Sequence, residues 1–316
     1  MLKVNKQQTL MDFDDKQTFY SNGKLLITGE YLVLNGALAL ALPTKFGQYL
    51  HVSSIKEQII IWKSYDADGS CWFETSLTFN DIVAKRKFEE DAIKKTLVEI
   101  LHYAYKQNPT FLEKTGFEIK TTLTFPRNWG LGTSSTLINN IAQWLQIDPF
   151  TLLRESFGGS GYDIACAQNN MGLLYQLVEE KPSVKPFIFR PIFTKNIFFV
   201  YLNRKQNSRH AIQNFINKQT FLEQETKAVS TISEELTQHI SFERFCYLLE
   251  KHEVLLSTIL ELPTTKERLF ADFNGVIKSL GAWGGDFILV ASKENPTIYF
   301  KEKGYHTILN YNEMIR

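Results

Sequence analysis

Several stretches far apart in the chain combine glycines with a charge or with hydroxyls, a pairing suited to holding an anion. The densest is "GLGTSSTLINNIAQW", Gly130 to Trp144, where two glycines and four hydroxyl residues precede apolar residues at helical spacing. A helix start carries backbone N–H groups with no intrahelical acceptor and a partial positive charge, and glycine lets a phosphate come close to that backbone. The same residues also make a plain capped helix, with Thr133 or Ser134 as N-cap. The stretch has no lysine after its glycines, so it is not a Walker loop, and Ser135 stands where a dinucleotide fingerprint has its third glycine. "SNGKLLITGEYLVLNG" sets Lys24 and Glu30 beside glycines, and "GGSGYDIACA" sets Asp163 after three of them. "SLGAWGGDFILVA" places a glycine-rich turn, with Gly284 and Gly285, between apolar runs. Each is individually explicable as a turn. Their recurrence in a chain with only 17 glycines points to one assembled site.

The elements that must position these residues are mixed. Residues 24–34 and 37–42 read as strands around an Asn35-Gly36 hairpin turn, and two more strands flank the turn residues Asp66 to Gly69. "AIKKTLVEILHYAYKQ" has helical spacing, and "GFEIKTTLTF" alternates as a strand leading to Pro126. In the helix after the glycine loop, Leu137, Ile138, Ile141, Ala142 and Leu145 form the inward face, with Asn139, Asn140, Gln143 and Gln146 outward. "EEKPSVKP", with two prolines and alternating charges, is the best candidate boundary. Beyond it "NIFFVYL" is a strand, residues 209–260 are mainly helical, and "GVIKSLGAWGGDFILVAS" reads as strand, turn, strand. This mixture predicts an α+β protein of two domains.

Composition bounds the function. With 35 basic and 34 acidic residues and a net charge of +1, the chain is no global nucleic-acid binder. The three cysteines, Cys71, Cys166 and Cys246, have no CxxC spacing, and the six histidines form no HExxH, which speaks against a zinc site and for a reducing compartment. No signal-peptide core and no apolar run of about 18 residues is present, so a cytoplasmic location is expected.

In order and spacing the glycine segments resemble the motifs of the GHMP kinase superfamily, which phosphorylates small alcohols or phosphates with ATP. Pro126 to Ser135 is similar to P-x-x-x-G-L-G-S-S-A, with Thr133 for the first serine and Ser135 for the usual small residue. Gly23-Lys24 and Gly29-Glu30 are similar to the first motif, with Ser21-Asn22 replacing its Ala-Pro. Gly281-Ala282 and Gly284-Gly285 are similar to the third, interrupted by Trp283. "KLLITGEYLVL", "GSGYDIA" and Asp286 most resemble the phosphomevalonate and mevalonate kinase branch, and the "GYDIA" form suggests a distinct group within it.

That resemblance implies a first domain like ribosomal protein S5 domain 2, placed at residues 1–183, and a ferredoxin-like second at 184–316. It implies ATP and Mg2+, a small-molecule acceptor and a monomer or homodimer. Gly130, Leu131, Gly132, Thr133, Ser134 and Ser135 would hold the ATP phosphates, with Ser134 facing the magnesium ion. Asp163 matches the catalytic aspartate and Lys24 the charge-countering lysine. Glu155, the only acidic residue close upstream of Asp163, is the candidate second metal ligand. "LNRKQNSRHAI" offers Arg204, Lys205, Ser208 and Arg209 for the acceptor, beside Gly284 and Gly285, and Arg127 is a further candidate. Mevalonate or phosphomevalonate is the acceptor most in keeping with the likeness. Homoserine or a sugar is the alternative, as is a binding protein that kept the fold and lost catalysis, for which a Trp283 crowding the third turn would be the mark.

Overall fold

The computed structural model describes residues 16–204, 215, 222–281, 283 and 285–316. Its first half is a seven-stranded sheet in the order β4-β3-β5-β2-β6-β7, with β1 on the other edge of β2. The strands are β1 (Gln17–Thr28), β2 (Ala39–Ile55), β3 (Ile59–Tyr65), β4 (Cys71–Thr78), β5 (Gly116–Leu123), β6 (Gly172–Val178) and β7 (Lys181–Phe187). All pairs are antiparallel except β3 with β5. Strand β2 pairs β5 through Gln48–Ile55 and β6 through Ala39–Ala41, so the two share one edge of it. The helices of this half are α1 (Phe79–Val83), α2 (Ala92–Gln107), α3 (Thr133–Leu145), α4 (Pro149–Ser156) and α5 (Tyr162–Gln168). Leu97, Leu101, Ile138, Ile141 and Leu152 from α2, α3 and α4 share a core with Leu50, Ile60 and Ile119 of the sheet.

The second half is a four-stranded antiparallel sheet, β11-β8-β10-β9, made by β8 (Ile197–Tyr201), β9 (Val276–Ser279), β10 (Phe287–Ala291) and β11 (Ile308–Asn310). Its helices are α6 (Glu223–Leu236), α7 (Phe242–Leu260), α8 (Thr265–Leu269), α9 (Thr297–Glu302) and α10 (Tyr311–Met314). One apolar cluster joins the halves: Leu25, Leu40 and Leu42 of the first sheet pack with Phe199 and Phe287 of the second and Phe245 of α7.

Four expectations change. The turn after β1 begins at Gly29 rather than at Asn35-Gly36. Leu32–Asn35 is a 3-10 turn that Gly36 closes in the left-handed conformation, so those two residues cap a turn and do not form the hairpin. Residues 181–187 form a strand that crosses the expected break at 183/184. Pro182 and Pro186 fit there because β7 is an edge strand, where a missing N–H breaks no ladder. Gly132, and neither Thr133 nor Ser134, is the N-cap of α3. Finally, Asn139 and Asn140 are buried. Asn140 donates to the Gln48 carbonyl at 2.9 Å, Asn139 to Ser21 Oγ at 2.8 Å, and Ser21 Oγ to Asn140 Oδ1 at 2.7 Å. Such directional bonds fix the helix along its axis against β1 and β2, which an apolar face alone does not.

Candidate active site

The glycine loop ends in a helix start shaped for an anion. Gly130 and Gly132 are left-handed, with φ of 69° and 97°, and no side chain caps α3. The first-turn N–H groups of a helix have no acceptor within it, so here they remain for a ligand. The hydroxyls divide their work. Ser135 and Thr136 both donate back to the Gly132 carbonyl at 3.0 Å, while Ser134 is exposed.

The first and third glycine segments close on this loop. The backbone N–H of Lys24, on β1, donates to the Leu131 carbonyl and its ammonium to the Gly130 carbonyl, both at 3.0 Å. A β-carbon on Gly23 would lie 2.9 Å from the Leu131 carbonyl oxygen, so glycine is required for this approach. Asp286 follows the third segment, and a β-carbon on Gly130 would lie 2.3 Å from its carboxylate. Asp163 stands in the first turn of α5 behind a left-handed Gly161, its Oδ1 accepting from the Ile164 amide at 3.0 Å.

These charges act on one another. Burial would lower the Lys24 ammonium, but Tyr162, Asp286 and Asp163 outweigh it and raise the group above its usual value. Burial raises the Asp163 carboxyl, partly offset by Lys24, the Ile164 amide and Ser135. Tyr162 is pushed up to about 12 by burial, with Lys24 opposing. An ammonium thus sits between two acids and a phenol, at the mouth of an uncapped helix.

Lys24, Gly130, Ser134, Asp163 and Asp286 all line one cleft of about 1100 Å³. The same cleft is also lined by the apolar side chains of Trp62, Trp72, Ile93 and Leu97. Arg127 stacks over the Trp72 ring at 4.7 Å and pairs with Asp66, which places it at the rim. Other predicted residues stand elsewhere. Glu155 is exposed on α4 and is not among the cleft-lining residues, because the helix turns it to solvent. Arg204 is exposed just after β8, and Gly285 is buried in the turn before β10. Lys205, Ser208, Arg209 and Gly284 lie outside the described residues. No group of three or more His, Cys, Asp and Glu suited to a metal occurs among the described residues. Trp283 does not cover the helix. It is buried with Tyr31, Leu256 and Val229, its backbone N–H donating to Tyr31 Oη at 2.9 Å.

Sequence reasoning gave Asp286 no role and treated Glu30 as part of a turn. Glu30 lines the cleft and is the centre of a buried ionic group. Lys278 of β9 donates to its Oε1 at 2.6 Å, and His252 of α7 accepts the Gly29 amide at 3.0 Å. Glu253 binds Ser279 through its N–H at 3.0 Å and its hydroxyl at 2.8 Å. Burial raises Glu30 to about 7 against the pull of Lys278, and burial and the Lys278 charge push His252 well down, leaving it neutral. The available signal was local: a lysine in an otherwise apolar strand, "GVIKSL".

No protein-family model matches the chain, and no curated protein matches it in sequence. Solved structures do. A mevalonate kinase crystal structure superposes with a TM-score of 0.68 at 18% identity, over 93% of this chain and 98% of that one. Streptococcus pneumoniae phosphomevalonate kinase, in complex with phosphomevalonate and AMPPNP, gives 0.64 at 19%, over 91% and 95%. Lactococcus lactis galactokinase complexed with galactose gives 0.63 at 12%, over 92% and 89%. The chain therefore has the α+β fold of the GHMP kinases across nearly its whole length. No helix among the described residues is long and apolar enough to cross a membrane.

Proposed function

We propose that this protein is an ATP-dependent small-molecule kinase of the GHMP type, transferring the γ-phosphate to a hydroxyl or phosphate of a small metabolite. Mevalonate or phosphomevalonate is the acceptor most in keeping with its neighbours. The observation that carries the reading is the convergence of Lys24 and Asp163 on the uncapped start of α3, in one cleft. Phosphoryl transfer needs positioning and charge neutralisation more than covalent help. The amides of Thr133, Ser134 and Ser135 would cradle the phosphates, and the apolar lining at Trp72 would take the base. Lys24 would neutralise charge on the transferring group. Asp163, raised by burial, would accept the acceptor's proton or hold its oxygen in line.

A nucleotide magnesium ion is held mainly by phosphates, water and one or two protein oxygens, so the lack of a three-residue metal cluster among the described residues suits it. The exposed Ser134 hydroxyl at the helix start fits that ion, which when bound would offset phosphate charge. Arg204, Ser208 and Arg209 stay our candidates for the acceptor's anionic end, since Lys24 is the only Lys or Arg lining the described cleft.

The test is ADP release by purified protein with ATP and magnesium, against mevalonate, phosphomevalonate, homoserine and sugars. Turnover should appear with one class and fall about 100-fold or more in Asp163→Asn, with nucleotide binding retained. No ATP binding by calorimetry, or unchanged turnover in the variant, would refute the proposal.

A further inference from the structure

We propose that Asp286 is a positioning residue of this centre, its carboxylate being the counter-charge that keeps Lys24 docked on the glycine loop. The inference rests on the kinase reading for its consequence but on geometry for its substance. Gly130 is clasped from two sides: its carbonyl accepts the Lys24 ammonium, and its α-carbon lies against the Asp286 carboxylate so closely that no side chain fits between. The acid is held there deliberately. Its backbone has φ of 53°, a left-handed conformation uncommon for residues other than glycine. Two backbone bonds impose it, from the Asp286 amide to the Arg204 carbonyl at 2.7 Å and from the Leu202 amide to the Asp286 carbonyl at 2.8 Å. The residue is 7% exposed, yet it lines the same cleft as Lys24.

Among the described residues, Tyr162, Asp163 and Cys166 of α5 and Asp286 just before β10 act on the Lys24 charge. Asp286 and Asp163 both act to keep the ammonium charged against burial. This divides the labour between the two acids. With Asp286 holding Lys24, Asp163 can change its protonation during transfer without releasing the ammonium from the loop.

Competitive acetylation reads this without any substrate. The rate at Lys24, followed by peptide mass spectrometry from pH 7 to 11 and normalised to the exposed Lys87, reports the neutral fraction of its amine. Asn and Gly both tolerate the left-handed backbone, so Asp286→Asn and Asp286→Gly should fold. In each, the midpoint for Lys24 should fall by about one unit and its labelling at pH 9 rise about tenfold, the effect of losing an adjacent opposite charge. With turnover established, kcat should drop more than KM for ATP changes, and the alkaline limb of kcat should move down with the labelling midpoint. An unchanged Lys24 midpoint in folded Asp286→Gly overturns the proposal. If labelling shifts while no acceptor is ever phosphorylated, the role of Asp286 stands and only the kinase reading falls.

Discussion

Lys278→Met tests the buried ionic group that ties the turn after β1 to β9. Lys278 is wholly buried, Glu30 is 2% exposed, and their contact is 2.6 Å. Removing one partner of a buried pair leaves the other as an uncompensated charge, at a cost of about 3–5 kcal/mol. Here Glu253 is stranded as well, since Lys278 is the main group lowering both carboxyls against burial. The pH dependence has a definite sign. A carboxyl raised from 4.5 to about 7 on folding stabilises the protein fully below pH 4.5 and loses that contribution as pH rises through 7. For Glu30 this is on the order of 3 kcal/mol in the intact protein. Without Lys278 the folded carboxyl rises further, so the penalty for Lys278→Met should be small near pH 5, larger by about 1 kcal/mol at pH 7.5, and full-sized only at more alkaline pH. Glu30→Gln added to Lys278→Met should recover most of it, because the neutral amide needs no counter-charge. Guanidinium unfolding followed by tryptophan fluorescence, at both pH values, supplies the four free energies of the cycle. A penalty equal at the two pH values, or a double variant no more stable than Lys278→Met, refutes the electrostatic account and leaves Lys278 as packing.

Gly132→Ala should weaken nucleotide binding with little loss of stability elsewhere. Its φ is 97° and a β-carbon would meet Ser135 Oγ at 2.7 Å and Lys24 Cγ at 3.3 Å, so calorimetry with an ATP analogue should show binding weakened at least tenfold. Trp283→Ala should cost about 3–5 kcal/mol in denaturant unfolding, as for a large buried aromatic, while changing ATP affinity less than Gly132→Ala does. An ATP affinity unchanged in Gly132→Ala, or lost in a still-folded Trp283→Ala, would reverse our assignment of which residue faces the nucleotide.

Local pattern was enough wherever local physics decides. The helix spacing of "AIKKTLVEILHYAYKQ" became α2 at Ala92–Gln107, and the alternation of "GFEIKTTLTF" became β5 at Gly116–Leu123. The glycine loop was legible because its helix start needs no distant partner to be recognised. What stayed hidden depends on contacts remote in sequence. Asn139 and Asn140 look like solvent-facing residues until Ser21 and Gln48 are brought to them. Pro182 and Pro186 look like a linker until β7 proves to be an edge. The Glu30–Lys278 pair joins residues 248 apart, and no periodicity announces it. The candidate site was thus visible as a set of parts, whereas the acid that holds Lys24 and the ionic floor beneath Glu30 were not.

The recurrence of glycine across the chain also acquires a different cause. Gly29, Gly36 and Gly161 are left-handed turn or cap residues, as a turn reading supposes. Gly23, Gly130 and Gly132 are excluded from carrying a side chain by atoms of another segment or of the helix they open: the Leu131 carbonyl, the Asp286 carboxylate, and Lys24 with Ser135. Each therefore reports an approach between segments, and together they describe one point where β1, the start of α3 and the turn before β10 touch. A loop assembled in this way cannot be altered one segment at a time. A larger residue at 23 pushes on Leu131, which moves the helix start; one at 130 displaces Asp286, which frees Lys24. The glycines are spaced by the tertiary packing they permit, and the chemistry proposed for the cleft depends on that packing at every one of them.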